Sequence, residues 1–461
     1  MICWIRPTTS SDNGAKAIVT RTCILLLFCG GLLAGWPVAV VQAAAGDPAP
    51  AAPVRTPAAT WQWDLTSGFD SYVHSYALST DDTTVTLTEF MLQAGWEGQS
   101  APVAPRRWRV RAEASAGTEL YRERFSGNFR WLGDDRVERV RLEGSLWGRQ
   151  YRPGTEYSQS SGSWEGRLEG RVAPLVGDRA KLDLRGWTGG IKYQAPSALE
   201  VDYRDLGAGV FARSAGLAPT IWGAGVRGGR RSYPDSLVID RRTLSLEGDL
   251  DHHDLYGQGL RVYHKSERRL IRDEAVRPSA WTHWTDFGGA VVAGPGRVFL
   301  DAQAEVWRYD MPSDVYFNSV RVDGVAGYSW GDLLAATWKV GLAGERLDAG
   351  TSPETYTQFG LRGGVESYGS EVAGSLTLEY GRRVYGEAAA ALAPDVPESI
   401  LADPTDLYSD FHYWRIWLTG SWHISGQLDL DLMANYEPES HTERSDDAAL
   451  GFASLRLRWR P

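Results

Sequence analysis

Cysteine is nearly absent: Cys3, Cys23 and Cys29 all precede residue 30. The rest of the chain therefore has neither a disulfide framework nor thiolate chemistry. Lysine is almost as scarce, occurring at Lys16, Lys181, Lys192, Lys265 and Lys339, so positive charge is carried mainly by guanidinium groups. The formal net charge of −10 argues against nucleic acid as a partner. Beyond residue 45 no apolar run is long enough for a helical membrane span, and helical periodicity is scarcely seen. No nucleophile elbow stands out, which speaks against an enzyme, and nothing points to a cofactor. A metal site needs convergent ligands from several strands, and His252 and His253, in a predicted short turn, are poor candidates.

One apolar run does occur, near the start. Lys16 and Arg21 precede CILLLFCGGLLAGWPVAVV, which closes on the small residues of VQAAAG. This predicts a secretory signal peptide over residues 1–45, with Pro37 and the glycines favouring cleavage over a retained anchor. Residues 46–60 read as an extended Pro/Ala linker and residues 61–461 as one further unit. With so little chain between the signal and that unit, a separate plug domain is not expected.

What fills that unit is alternation with a period of two. Trp108, Val110, Ala112 and Ala114 alternate with Arg107, Arg109, Arg111 and Glu113. Val140, Leu142, Gly144, Leu146 and Gly148 alternate with Arg139, Arg141, Glu143 and other residues. The pattern returns in SWEGRLEGRV, TLSLEGDL, RVFLDAQAEV, QLDLDLMANY and the terminal SLRLRW. Short turns at 132–136, 293–297, 331–333 and 425–427 alternate with longer polar loops such as YRPGTEY, SERRLIRDEAVRPS and GEAAAALAPDVPESILADPTDLYSD. This predicts an all-β, transmembrane, antiparallel up-and-down β-barrel of about 18 strands (range about 16–20). Trp61, Trp63, Trp131, Trp147, Trp281, Trp284, Trp414, Trp417 and Trp422 fall near predicted strand ends, where aromatic girdles meet the headgroups.

An export signal, sustained alternation and a last strand ending Leu455, Leu457, Trp459 together resemble the bacterial outer-membrane porin-like barrels. The resemblance implies an outer-membrane location, contact with lipid, and insertion by the barrel-assembly machinery. Arg460 and Pro461 follow the terminal aromatic, a departure from the usual final residue. No motif encodes an oligomeric state.

With the apolar faces turned to lipid, the lumen receives Arg107, Arg109, Arg111, Arg122, Arg124, Arg139, Arg141, Arg167 and Arg171, joined through barrel closure by Arg456 and Arg458. Such a basic wall suits a small anionic solute or a polyanion. The bland alternative is cross-strand pairing with Glu113, Glu143, Glu165 and Glu169. Acidic lumen positions are expected elsewhere, at Glu200, Asp202, Glu247, Asp249, Asp301, Glu305, Asp429 and Asp431. The long acidic loop carrying Asp395, Glu398, Asp403 and Asp406 is a candidate constriction. The reading is thus a channel for small hydrophilic, anionic solutes. Its alternatives are an exopolysaccharide-export barrel of the alginate-export type, a closed structural or adhesive barrel and, behind these, a hydrolase using His264, His283 or His412 with Ser266, Asp273 or Ser409.

Overall fold

The computed structural model describes residues 59–460 except 78–81, 102–103, 119, 134–136, 153–161, 178, 196–199, 215–218, 237–238, 255–257, 314, 333–334, 351, 353, 387–408 and 442–446; the side chains of 74–77, 82–85 and 87 are likewise outside it. The predicted signal segment and all but the end of the linker therefore lie outside the described residues, as do Asp395, Glu398, Asp403 and Asp406.

The strands run in chain order: β1 (Thr60–Ala77), β2 (Asp82–Gln99), β3 (Arg106–Gly117), β4 (Leu120–Leu132), β5 (Glu138–Tyr151), β6 (Ser163–Val176) and β7 (Ala180–Tyr193). There follow β8 (Tyr203–Ser214), β9 (Thr220–Ser232), β10 (Arg241–His253), β11 (Gly259–Ile271), β12 (Ala280–Ala293), β13 (Gly296–Tyr309) and β14 (Ser319–Asp332). The set ends with β15 (Ala336–Asp348), β16 (Tyr356–Tyr368), β17 (Val372–Tyr385), β18 (Phe411–Ser425), β19 (Leu428–His441) and β20 (Ala448–Trp459). Each pairs antiparallel with its neighbour, and β1 closes on β20 from Leu65 opposite Trp459 to Tyr76 opposite Ala448. The result is a closed twenty-stranded barrel, which leaves no unpaired edge.

Both ends of the barrel sequence, Thr60 and Trp459, reach the same rim. The connections at that rim are tight, as at 177–179, 294–295, 333–335, 369–371 and 426–427, whereas the opposite rim carries 152–162, 194–202, 310–318 and 386–410. Short periplasmic turns and long outer loops are the outer-membrane pattern, so the rim with the termini is periplasmic. Gly294, at φ 58°, occupies a left-handed position in one of these tight turns that a side chain would strain.

Registers carry one face consistently around the ring. Trp63, Trp96, Ala112, Phe125, Leu146 and Gly166 follow one another outward across β1 to β6. The outward positions of the periplasmic half form a tryptophan girdle that includes Trp61, Trp63, Trp96, Trp131, Trp330, Trp338, Trp422 and Trp459. Trp61 stacks on Trp96 at 4.5 Å, and Trp459 meets Trp63 edge-on at 5.3 Å across the closing seam.

Three expectations need correction. The barrel has twenty strands rather than about eighteen. The outward faces of β8 and β9 are thinned by small residues such as Ala208, Ala212, Ala224 and Gly228, which blurs their alternation. The segment SERRLIRDEAVRPS is only partly loop: β11 continues to Ile271, and outward Arg268 beside outward Leu270 hides the period. Finally, Trp147, Trp284 and Trp417 face the lumen, being opposite inward Arg124, Lys265 and Thr377; Trp147 donates to Glu165 at 3.1 Å instead of joining a girdle.

Candidate functional site

Ten of the eleven arginines expected in the lumen sit at inward register positions, on β3, β4, β5, β6 and β20, and Arg139 falls at a bulge between Glu138 and Val140 where the ladder gives it no partner. Register adds an order that alternation alone does not contain. Arg107 stands opposite Arg130, Arg130 opposite Arg141, Arg141 opposite Arg171, and Arg171 opposite Arg185. Adjacent strands are ~4.8 Å apart, so these guanidinium stems form one continuous row across β3 to β7. Like charges directly opposed destabilise a sheet. Glu138, within 3.7 Å of Arg130 and 3.3 Å of Arg171, and Asp183, 2.9 Å from Arg171, offset this row.

Most of the wall is ion-paired. Arg109 binds Glu97 at 2.8 Å; Arg111 reaches Asp64 at 3.1 Å, Glu97 at 3.3 Å and Glu113 at 2.5 Å. Arg122 pairs with Glu89 at 3.2 Å, Arg141 with Glu143 at 2.6 Å and Arg167 with Glu169 at 3.2 Å. Arg456 lies 3.5 Å from Asp70 and Arg458 lies 3.6 Å from Asp431. Arg139 is likewise engaged in the structure. Among the described residues no carboxylate pairs with Arg124 or Arg107; Arg107 donates instead to the Ala104 carbonyl at 3.3 Å.

Two cavities open along this wall and share Ser145. The one nearer the outer rim, about 410 Å³, is lined by Met91, Gln93, Ser115, Arg122, Arg124 and Arg456 among others. Its neighbour, about 570 Å³, is lined by Arg109, Arg111, Asn128, Glu143, Arg167 and Glu169 among others. Arg124 thus lines a space that holds hydroxyl and amide groups and that Glu123 and Glu113, its register partner, line as well.

Half-way round the ring lies an acidic row, set nearer the outer rim than the basic one. Asp286 is opposite Gln303, Gln303 opposite Asp323, Asp323 opposite Glu345, and Glu345 opposite Gln358. Asp301 is inward on the same wall, where it helps line a further cavity of about 290 Å³ with Asp286, Asp323 and Glu345 but also with Arg321, Arg362 and Arg415, of which Arg321 pairs with Glu345 at 2.8 Å. Of the acidic positions expected from sequence, Glu247, Asp249, Asp301 and Glu305 are inward and lie away from the basic wall. Asp429 and Asp431 are inward too, but adjoin that wall, holding Arg460 at 2.6 Å and Arg458 at 3.6 Å. Glu200 and Asp202 belong to an outer connection rather than a strand, and Asp202 caps the Tyr193 amide at 2.7 Å. Arg185 was missed: its strand reads AKLDLRGWTGGIKY, where a lone arginine carries no signal of its cross-strand neighbours.

The histidines arrange themselves differently. His264 Nε2 lies 3.0 Å from Ser266 Oγ, His264 Nδ1 lies 2.9 Å from Thr285 Oγ1, and Ser266 Oγ lies 2.8 Å from His283 Nδ1. All four side chains occupy outward positions on β11 and β12. No carboxylate among the described residues joins this set, and Asp273 is not part of it. His412 stacks on Tyr380, while Ser409 bonds His441 at 2.6 Å rather than His412. His252 bonds Thr220 on the outer face, whereas His253 contacts Asp251 on the inner one, so the pair does not converge.

No family model and no curated protein matches the chain. Solved structures do. The copper transporter OprC superposes with a TM-score of 0.53 at 11% identity, covering 89% of this chain and 84% of OprC. The FrpB iron transporter from Neisseria meningitidis (F3-3 variant) gives 0.53 at 11%, covering 87% and 81%. OccK10 from Pseudomonas aeruginosa gives 0.41 at 10%, covering 87% and 99%. At such identities the likeness is one of fold.

Proposed function

We propose that this protein, a bacterial outer-membrane β-barrel, passes small hydrophilic anionic solutes through an arginine-lined lumen. The observation that carries the reading is the guanidinium row Arg107, Arg130, Arg141, Arg171, Arg185, with the Asp286 to Gln358 row on the far side of the ring and nearer the outer rim. Rows of opposite sign on far sides and at different levels give a field running obliquely across the lumen, which orients a dipolar solute and draws its anionic end to the basic wall.

The ion pairs do not defeat this reading. Arg109, Arg122 and Arg167 are more than a third exposed, and the Arg167–Glu169 pair, open on both sides, is worth only ~0–1 kcal/mol, whereas Glu89 and Glu97 are buried partners. A carboxylate or phosphate on the solute can therefore exchange with the resident glutamate, and the ~4.8 Å strand spacing lets one anion reach the next guanidinium before leaving the last. Arg124, with no carboxylate to displace, is the first capture point. Its cavity neighbours Gln93, Ser115 and Ser145 supply neutral donors. The fold neighbours OprC and FrpB are named as transporters, which favours transport over catalysis for this barrel.

The test is single-channel recording of the refolded protein in a planar bilayer under a salt gradient. A reversal potential of the sign for anion preference is expected, moving towards zero in an Arg107/Arg109/Arg139/Arg141 to Ala variant. A folded barrel with no conductance, or one whose selectivity ignores these substitutions, overturns the reading.

A further inference from the structure

The geometry points to a second anion site, on the outside of the barrel, that holds the phosphate of an outer-leaflet lipid. Outward positions near the outer rim of β9, β10 and the start of the 272–279 connection bring Arg230, Arg242 and Arg272 together around Asp240. Arg230 is directly opposite Arg242, and the Arg272 amide donates to the Asp240 carbonyl at 2.8 Å. These residues line a cavity of about 540 Å³.

The charges do not balance. Asp240 is buried, accepts from Arg230 at 3.2 Å and from the Tyr233 amide at 2.8 Å, and so answers one guanidinium. Arg242 and Arg272 are exposed and have no carboxylate partner among the described residues. Two arginines in direct cross-strand opposition cost stability unless an anion sits between them, and a phosphate group matches their forked donors.

The surface below the arginines is apolar. Leu206 and Leu270, 67% and 45% exposed, flank the Arg230–Arg242 pair on the same register line. One step towards the membrane centre the line reads Ala208, Gly228, Leu244, and the next reads Val210, Val226, Leu246. Gly228 has only a backbone oxygen, at 3.7 Å, near the place of a Cβ, so the floor between these leucines is low. A charged cap above a shallow apolar groove fits a lipid with a phosphorylated headgroup and acyl chains, and not a soluble anion alone. The two rims differ in the same sense. Lys192, Arg204, Arg268, Arg308, Arg346 and Arg382 also face outward near the outer rim, whereas the described outward basic side chains near the periplasmic rim are Arg106 and His252.

The full chain, refolded in a zwitterionic detergent, would be titrated with a diphosphorylated lipid A, with the same lipid after enzymatic dephosphorylation, and with inorganic phosphate. Native mass spectrometry would read occupancy. The expected result is binding of the phosphorylated lipid at least tenfold tighter than in an Arg230→Gln/Arg242→Gln/Arg272→Gln variant. Asp240→Asn should tighten it, and Arg106→Gln should leave it unchanged. Equal binding by the triple variant or by the dephosphorylated lipid overturns the proposal. Equally tight binding of inorganic phosphate overturns it in favour of a free-anion site. Should the triple variant fail to fold, an Asp240→Asn protein with unaltered affinity for the lipid overturns it as well.

Discussion

Arg124 and Arg171 carry the same side chain on the same wall, yet their surroundings give them different work. Arg124 is exposed and faces a cavity without a carboxylate partner among the described residues. Arg171 is held by Glu138 and by Asp183, whose carboxylate is 0% exposed and also binds Arg213. Arg124→Gln should therefore lower the anion-to-cation permeability ratio while leaving thermal stability unchanged, as bilayer recording and a melting curve would show. Arg171→Gln should instead cost about 1–3 kcal/mol because a buried acceptor loses a donor, and should lower the ratio less than Arg124→Gln does. A second residue-scale prediction concerns acid. Asp310, on the outer connection after β13, is held below the ordinary carboxylate range by its two hydrogen bonds to Arg268, at 2.7 and 2.5 Å. A depressed carboxylate contributes above its unfolded value of about 4 and loses that contribution as pH falls through the lowered one. Asp310→Asn should accordingly lower the melting temperature by a constant amount between pH 5 and 8, with the difference vanishing in strong acid.

Among the strands, the seam between β1 and β20 is one place that does not tolerate added volume. A Cβ on Gly68 would stand 2.2 Å from the Leu455 carbonyl oxygen, a backbone atom that cannot rotate away. Gly68→Val should cost ~1–3 kcal/mol of overpacking and reduce the heat-resistant folded band on cold electrophoresis. Gly228→Val, whose Cβ has ordinary room, should not. The same strand shows how the chain accommodates residues after its terminal aromatic. The Arg460 amide donates to the Gln427 carbonyl at 2.7 Å, and its guanidinium reaches Asp429 at 2.6 Å, so β20 is continued in place rather than frayed. At this scale alternation was readable wherever outward positions carried bulky residues, as in Leu455, Leu457 and Trp459. It faded in β8 and β9, where outward alanines and glycines leave no contrast, and near the rim of β11, where arginine faces outward.

Over the whole molecule the decisive quantity is the sign of the field across the lumen. Replacing Asp286, Asp301 and Asp323 by Asn should raise anion preference in the reversal-potential measurement. An unchanged potential would mean that the acidic wall does not act on the permeating ion. The barrel's outer face also bears on catalysis. Ser266 has a histidine on either side, but His264 meets a threonine hydroxyl and, among the described residues, no carboxylate joins the set. Refolded protein is therefore expected to show no lipid-ester turnover; turnover abolished by His264→Ala or His283→Ala would reverse that view.

The sequence by itself indicated the face of each arginine within an unbroken stretch of strand, because successive residues point to opposite faces, but not that of Arg139, where a bulge before Val140 breaks the phase. It could not determine which arginine stands beside which, since register is set between strands far apart in the chain. Nothing within AKLDLRGWTGGIKY indicates that Arg185 continues a row begun at Arg107. Closure of the ring likewise put the basic and acidic rows on far sides of the lumen. The outward arginines at 230, 242 and 272 became a cluster only when three neighbouring segments were brought to the same rim. Side-chain direction is local stereochemistry; juxtaposition belongs to the hydrogen-bond ladders that align one strand with the next.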